Sequence, residues 1–247
     1  MSSTWLVLGA SSAIARAFAR AAAAQGADIL LAARDLVDAE ATAADIAIRT
    51  ARRAEAVKFD ALDEAAQDEL VAWAREFAGS GTLNVFLAFG TMPDQAAIDA
   101  DPSLVAPTVM ANFTAAASLL HRLAPVLEAQ GTGAVVALGS VAGDRGRLKN
   151  YVYGSAKAGL HAYLQGLRAR LVRKGVHVVT LKPGFVDTAM TWGLPGLFLV
   201  APPEAVARAA LDAAAKKRDV VYAPAFWWGI MTIIRHIPER IFKKLNI

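Results

Sequence analysis

Tyr153 and Lys157 stand four residues apart in a stretch of helical composition that reads Tyr-Gly-Ser-Ala-Lys. Four residues make about one helical turn, so both side chains share a face. A free phenol titrates near 10, too high for ready proton exchange at neutral pH, and a nearby ammonium favours the phenolate and lowers that value. So placed, Tyr153 is a general acid for a carbonyl oxygen. The pair arises often by chance, and its plain alternative is two exposed residues on a helix. Ser140, in Gly-Ser-Val-Ala-Gly over 139–143, raises its weight. A hydroxyl at that point, just past an apolar run, can hydrogen-bond a developing alkoxide.

These side chains need a scaffold. Seven apolar runs recur: Trp5–Leu8, Ile29–Ala33, Glu55–Phe59, Leu83–Leu87, Ala134–Leu138, Val176–Leu181 and Val220–Tyr222. Ala-rich helical stretches lie between them, at about 13–25, 39–52, 64–78, 104–129, 151–173 and 203–217. Short runs that are apolar throughout suit strands covered on both faces, and alternation with helices is the α/β pattern. The sequence therefore predicts a Rossmann-like, doubly wound, seven-stranded parallel sheet with helices on both faces. Its 247 residues are 55% hydrophobic and 19% charged, and no Pro/Gly/Ser-rich or charged linker divides them. This composition excludes intrinsic disorder and predicts one domain over 1–247, with 225–247 as a tail within it.

Such sheets bind ligands beyond the carboxyl ends of their strands. The first run ends in Gly9-Ala-Ser-Ser-Ala-Ile-Ala15 and passes directly into a helix. A glycine permits the tight turn, and the hydroxyls and the helix N-terminus suit a phosphate; the alternative is an ordinary turn with a serine cap. After the second run, Arg34 favours the 2′-phosphate of NADP(H), whereas NAD(H) remains the alternative if Asp35 takes the ribose. Asp60, after the third run, is placed either to meet an adenine amino group or to cap the helix starting near Asp63.

At this point the chain resembles the short-chain dehydrogenase/reductase family along essentially its whole length. The matching elements are the loop at 9–15, Asn112, Ser140, the Tyr153/Lys157 pair, and the Lys-Pro-Gly-Phe-Val-Asp-Thr segment at 182–188, in family order and spacing. The resemblance implies that Ser140 orients a carbonyl and Tyr153 donates the proton. It implies that Lys157 holds the nicotinamide ribose and lowers the Tyr153 pKa, and that Asn112 supports a proton-relay water. Gly9, Ser11, Ser12 and Ile14 would line the pyrophosphate, and Pro183, Gly184, Val186 and Thr188 the nicotinamide end. Two departures stand out. Ala13 and Ala15 replace the second and third glycines of the family's loop, and Gly90 alone survives from its Asn-Asn-Ala-Gly after the fourth strand.

The formal charge is +4, and the last twenty residues carry +3 of it through Arg235, Arg240, Lys243 and Lys244 against Glu239. Trp227, Ile230, Met231, Ile234, Ile237, Ile241 and Leu245 recur among them at spacings of three or four, with a break expected at Pro238. Such a segment either closes over the core or an interface, or lies on anionic lipid. Together with residues 139–157 it resembles the decaprenylphosphoryl 2-keto-pentose reductases. That resemblance points to a ketone on a lipid-linked sugar without fixing the substrate; by position, Arg145, Arg147 and Lys149 after the Ser140 loop could meet a substrate phosphate, and 192–200 could form an apolar lid. The alternatives are solvated loop charges and packed core.

The uncharged stretches Ala189–Pro203 and Val220–Ile234 are fifteen residues each and contain prolines, short of the roughly 20 that span a bilayer, and the start lacks a basic n-region. A cytoplasmic enzyme is the expectation, peripheral at the inner face of the membrane if the tail lies on lipid rather than on the protein. With no cysteine and four scattered histidines, no metal is expected. No GxSxG elbow or basic helix-turn-helix marks a hydrolase or a nucleic-acid binder. The rival activities are a 3-oxoacyl or steroid-type carbonyl reductase and, in another class, a non-catalytic nucleotide-binding recruitment module. Family resemblance implies a homodimer or homotetramer through the helices at 104–129 and 151–173.

Overall fold

The computed structural model describes residues 2–193 and 196–245. Leu194 and Pro195 of the expected lid, and Met1, Asn246 and Ile247 at the ends of the expected domain and tail, lie outside the described residues. Seven strands form one parallel sheet: β1 Ser3–Leu8, β2 Asp28–Ala33, β3 Ala54–Lys58, β4 Thr82–Leu87, β5 Ala134–Leu138, β6 His177–Pro183 and β7 Val220–Ala223. Their order is β3-β2-β1-β4-β5-β6-β7, so the winding reverses between β1 and β4. At this reversal the connections diverge to opposite sides and leave a crevice beyond the strand ends. All seven apolar runs are strands, and β6 continues through Lys182 and Pro183 because these pair with Tyr222 and Ala223 of β7.

Ten α-helical segments are described: α1 Ala13–Ala24, α2 Leu36–Thr50, α3 Glu64–Ala78, α4 Gln95–Ala100, α5 Val105–Val109, α6 Ala115–Gln130, α7 Tyr151–Leu171, α8 Pro203–Ala215, α9 Trp227–His236 and α10 Glu239–Phe242. Because side chains alternate along a strand, β1 sends Trp5 and Val7 to one core and Leu6 and Leu8 to the other. The first core lies under α1, α2 and α8, where Phe18 stacks on Phe86 with ring centroids 3.8 Å apart. Ala15, Ala19 and Ala22 on the inner face of α1 are small enough to bring that helix close to the sheet and to α8. The second core lies under α3, α6 and α7.

The single helix expected over 104–129 is interrupted. A 3₁₀ turn, α5, a π turn at Met110–Thr114 and α6 succeed one another from Pro102 to Gln130, and α4 precedes them unforeseen. Within the π turn the Asn112 side chain, rather than backbone alone, meets the Thr108 carbonyl, at 2.8 Å. This 29-residue helical stretch is apolar and long enough to cross a membrane by composition, but Leu119, Leu120, Leu123 and Leu127 pack it on the sheet.

Candidate active site

A cleft of about 700 Å³ opens beyond the carboxyl ends of the strands, at the reversal of strand order. One wall is the turn from β1 into α1. Gly9 has φ +77°, and a Cβ there would stand 2.8 Å from the Phe89 backbone nitrogen, so only glycine lets the β1 and β4 loops meet. Gly9 thus shapes the cleft from beneath and is not among its lining residues, whereas Ser11, Ser12, Ala13 and Ile14 are. The Ser12 hydroxyl caps α1 by accepting from Ala15 N at 3.1 Å. The N–H groups of Ala13 and Ile14 lie in the first turn, where no intrahelical acceptor exists, and an anion fits there. Both expectations for this loop, serine cap and phosphate cradle, are therefore compatible with one geometry. Ala13 replaces a glycine on the cleft wall, and Ala15 is fully buried behind it.

The opposite wall comes from β5 and α7. Ser140, Tyr153 and Lys157 all line it. Ser140 is extended and its hydroxyl accepts from Ala142 N at 3.1 Å, which starts the turn Val141–Asp144. Tyr153 and Lys157 are buried, and the Lys157 ammonium donates to the Leu138 carbonyl at 3.0 Å. Burial pushes the Tyr153 phenol up to about 12, against smaller downward pulls from the Ser140 hydroxyl and the Arg147 charge. Burial also lowers Lys157 to about 8. By spacing and by family resemblance Lys157 is expected to lower the phenol pKa. In the structure its ammonium sits 5.8 Å from the Tyr153 ring centroid, bonded to backbone, and the pull comes instead from Ser140 and Arg147.

Asn112 stands behind the cleft. It is buried, its amide donates to the carbonyls of Thr91 and Thr108, and its Oδ1 accepts from Thr91 N at 3.2 Å. Both amide hydrogens are thus committed to backbone, and the side chain clamps the loop after β4. Gly90 of that loop lines the cleft, and a Cβ there would lie 2.5 Å from Asn112 Oδ1. Pro183, Gly184, Val186 and Thr188 close the cleft from the β6 side. Arg34 and Asp60 are exposed and outside the cleft lining. Asp60 accepts from Leu62 N at 3.0 Å, while Asp63 caps α3, so the capping expected of Asp60 falls to its neighbour.

Sequence reasoning missed several cleft residues. Arg16 lies one turn beyond Ser12, bonded to the Ser11 carbonyl and to Asp38 at 2.7 Å. Its helical spacing from Ser12 was an available signal. Phe89, Met92, Ala189, Met190 and Thr191 enter from loops, which carry no periodicity to expose them.

Arg145 overturns one expectation. Its guanidinium donates to the carbonyls of Ile234, Arg235 and Ile237 at 3.1, 2.9 and 2.7 Å, pairs with Glu239 at 2.8 Å, and stacks on Phe242. It caps α9 and is not available to a substrate phosphate. The Arg147 Nε, in contrast, is buried with no hydrogen-bond partner among the described residues. The tail breaks at Ile237 and Pro238 as its sequence suggested, and it packs on the protein through Trp227, Met231 and Phe242. Trp227 fills the space over Gly184 and joins Phe185, Phe198 and Phe226 in an aromatic cluster linking tail and lid segment.

A family model described as short chain dehydrogenase matches residues 3–195. An uncharacterized oxidoreductase of Mycobacterium tuberculosis is 36% identical over 241 residues, covering 97% of this chain and 96% of its own. A short-chain dehydrogenase from Sphingobium yanoikuyae, solved in complex with NADPH, superposes with a TM-score of 0.81 at 26% identity over 96% of both chains. The bulky-bulky ketone specific alcohol dehydrogenase from Comamonas testosteroni gives 0.80 at 25% identity, over 96% of this chain and 98% of that one.

Proposed function

Because this chain belongs to the short-chain dehydrogenase family, we propose that it is an NAD(P)-dependent oxidoreductase that reduces a ketone to a secondary alcohol, with Tyr153 as proton donor. The observation that carries this reading is the convergence of Ser140, Tyr153 and Lys157 on one wall of the cleft at the strand reversal. When bound, the nicotinamide cofactor supplies the hydride. Ser11, Ser12 and the free N–H groups of α1 would hold its pyrophosphate, with Gly9 shaping the turn beneath. Lys157 would hold the nicotinamide ribose, and residues 183–188 would border the ring. Arg34, exposed at the end of β2, favours NADPH over NADH. A substrate carbonyl oxygen placed between Ser140 and Tyr153 receives a hydrogen bond from the first and a proton from the second. The phenol is protonated throughout the neutral range, as an acid must be before it can donate. Asn112 holds the β4 loop in place behind this site.

For the substrate we favour an apolar, anion-bearing ketone such as a lipid-linked sugar. Arg147, near the phenol and with its buried Nε lacking a hydrogen-bond partner among the described residues, and the exposed Trp192, Phe198 and Leu199 beside the cleft support this reading. We read 1–247 as one reductase domain acting as a homodimer or homotetramer, supported by exposed Val105, Met110 and Tyr151 on the helices that would pair. The exposed cations and apolar side chains of the tail support peripheral membrane contact on the cytoplasmic side.

The test is a ketone panel containing neutral and anionic members, followed by cofactor oxidation with NADPH and NADH. Tyr153→Phe is expected to abolish turnover and leave cofactor binding, read by fluorescence titration, within about twofold, since the hydroxyl acts on the carbonyl. Turnover by that variant at the native rate would defeat the assignment. Arg147→Gln is expected to raise KM for anionic ketones alone; an equal effect on neutral ones would remove the anionic-substrate reading.

A further inference from the structure

The face of α7 that carries Tyr153 and Lys157 continues one turn further to His161, which is buried and has no part in the reduction as described. Its Nε2 accepts a hydrogen bond from the Ser140 backbone N–H at 3.3 Å. The loop around Ser140 is built to admit the ring: a Cβ at Gly139 or at Gly143 would collide with the imidazole. On the other side, Nδ1 faces Oδ1 of Asp144 at 3.6 Å. The Asp144 side chain is 3% exposed and is held by Lys182 Nζ at 2.5 Å on Oδ1 and by the Tyr222 hydroxyl at 2.6 Å on Oδ2. A chain of contacts thus runs from β6 and β7, through Asp144 and His161, to the backbone of Ser140.

We propose that His161 is a positioning residue: a neutral imidazole, its tautomer set by Asp144, that holds Ser140 in register with Tyr153. This rests on the assignment of Ser140 and Tyr153 to carbonyl reduction. A neutral imidazole has one N–H and one lone pair. Accepting from Ser140 N–H occupies the lone pair on Nε2, which leaves the proton on Nδ1, facing the Asp144 carboxylate. At 3.6 Å this is electrostatic orientation rather than a full hydrogen bond. Burial, with Lys182 and Lys157 nearby, lowers the His161 pKa to about 3 and keeps the ring neutral, against the opposing pull of Asp144. The tyrosine and the serine's anchor therefore sit on one rigid helix, and their separation is fixed by helix geometry rather than by loop conformation. His161 touches neither substrate nor cofactor in this scheme, so its loss acts on the chemical step through Ser140.

The experiment compares His161→Gln, whose amide oxygen reaches the Nε2 position, with His161→Asn, which reaches only the Nδ1 position, and His161→Leu, which has no acceptor. Leu and Asn are expected to lower kcat by about 10- to 100-fold with cofactor affinity changed less than about twofold, and Gln to recover to within about threefold of the native rate. The native enzyme, labelled with ¹⁵N-histidine, is expected to show neutral His161 protonated on Nδ1 at pH 7. A native rate in the Leu variant, equal losses in Gln and Leu, or a proton on Nε2 would each overturn the proposal. Tyr153→Phe run in parallel separates the two levels: if it turns over at the native rate, the assignment beneath the proposal fails with it, and if it is inactive the His161 series speaks for itself.

Discussion

Lys157 and His161 lie one turn apart on α7, and burial acts on both in the same direction, against the charged form. For Lys157, held at about 8 when folded against 10.5, the native state releases its proton first as pH rises. Its burial cost is therefore fullest below about 8, and stability recovers between 8 and 10.5. Lys157→Met removes that cost and is expected to stabilise the fold by roughly 1–3 kcal/mol while abolishing reduction, as chemical denaturation and a turnover assay will report. For His161 the unfolded ring titrates near 6.5 and the folded one near 3, so the unfolded state binds the extra proton between them. Stability is then complete above about 6.5 and falls as pH drops toward 3. The groups facing the ring are Asp144 on its loop, Lys182 on β6 and Lys157 on α7 itself. Melting temperatures of His161→Gln measured from pH 4 to 7 should vary less than those of the native protein; equal slopes would show that His161 does not set this dependence.

At the scale of elements, the loop after β5 joins the site to the tail. Ser140 begins it and Arg145 ends its turn five residues later, capping the carboxyl end of α9 with three carbonyl contacts and reaching Glu239 beyond Pro238. A cation there also offsets the negative end of the helix dipole. The Arg145 side chain is only 15% exposed although Glu239 is 75% exposed, so the partly sheltered bonds to the carbonyls of Ile234 and Ile237, rather than the exposed ion pair, carry most of this contact. Arg145→Ala is expected to cost about 2–3 kcal/mol and to open residues 237–245 to proteases before the sheet unfolds. Limited proteolysis followed by mass spectrometry measures this, and cleavage at the native rate would show that the tail is held without it.

For the molecule as a whole, the tail has two unlike faces. Trp227, Met231 and Phe242 are buried, while Phe226, Trp228, Ile233 and Ile241 are exposed among Arg235, Arg240, Lys243 and Lys244. Packing on the protein and contact with lipid are thus compatible, since they use opposite sides of the segment. Burying such side chains in a headgroup boundary, with cations against anionic lipid, suits a peripheral mode. The native protein is expected to float with vesicles rich in phosphatidylglycerol, and the pair Trp228→Ser with Ile233→Glu to stay in solution with unchanged turnover of a water-soluble ketone. Native protein remaining in solution would end the membrane reading.

Much of this was legible in the chain itself. The runs of β1, β2, β4, β5 and β6, buried on both faces, announce their strands because burial dictates side-chain type residue by residue, while the edge strands β3 and β7 are half exposed; Ser140, Tyr153 and Lys157 are legible because their chemistry and spacing are local. The same locality hid the division of the 102–130 helix, where the Asn112 amide bonds the backbone of a loop twenty-one residues away. Arg145 read as a free cation until tertiary contact gave it the carbonyls of α9, nearly ninety residues distant. His161 read as one of four scattered histidines, although the helical turn separating it from Lys157 was visible. What made it part of the Ser140 site was strand order: only once β5, β6 and β7 lie side by side do Asp144, Lys182 and Tyr222 meet around its ring. Sequence by itself determined the seven strands and the candidate groups of the cleft. Tertiary structure decided which charges were committed and what held the serine still, because those contacts join residues whose separation along the chain carries no pattern.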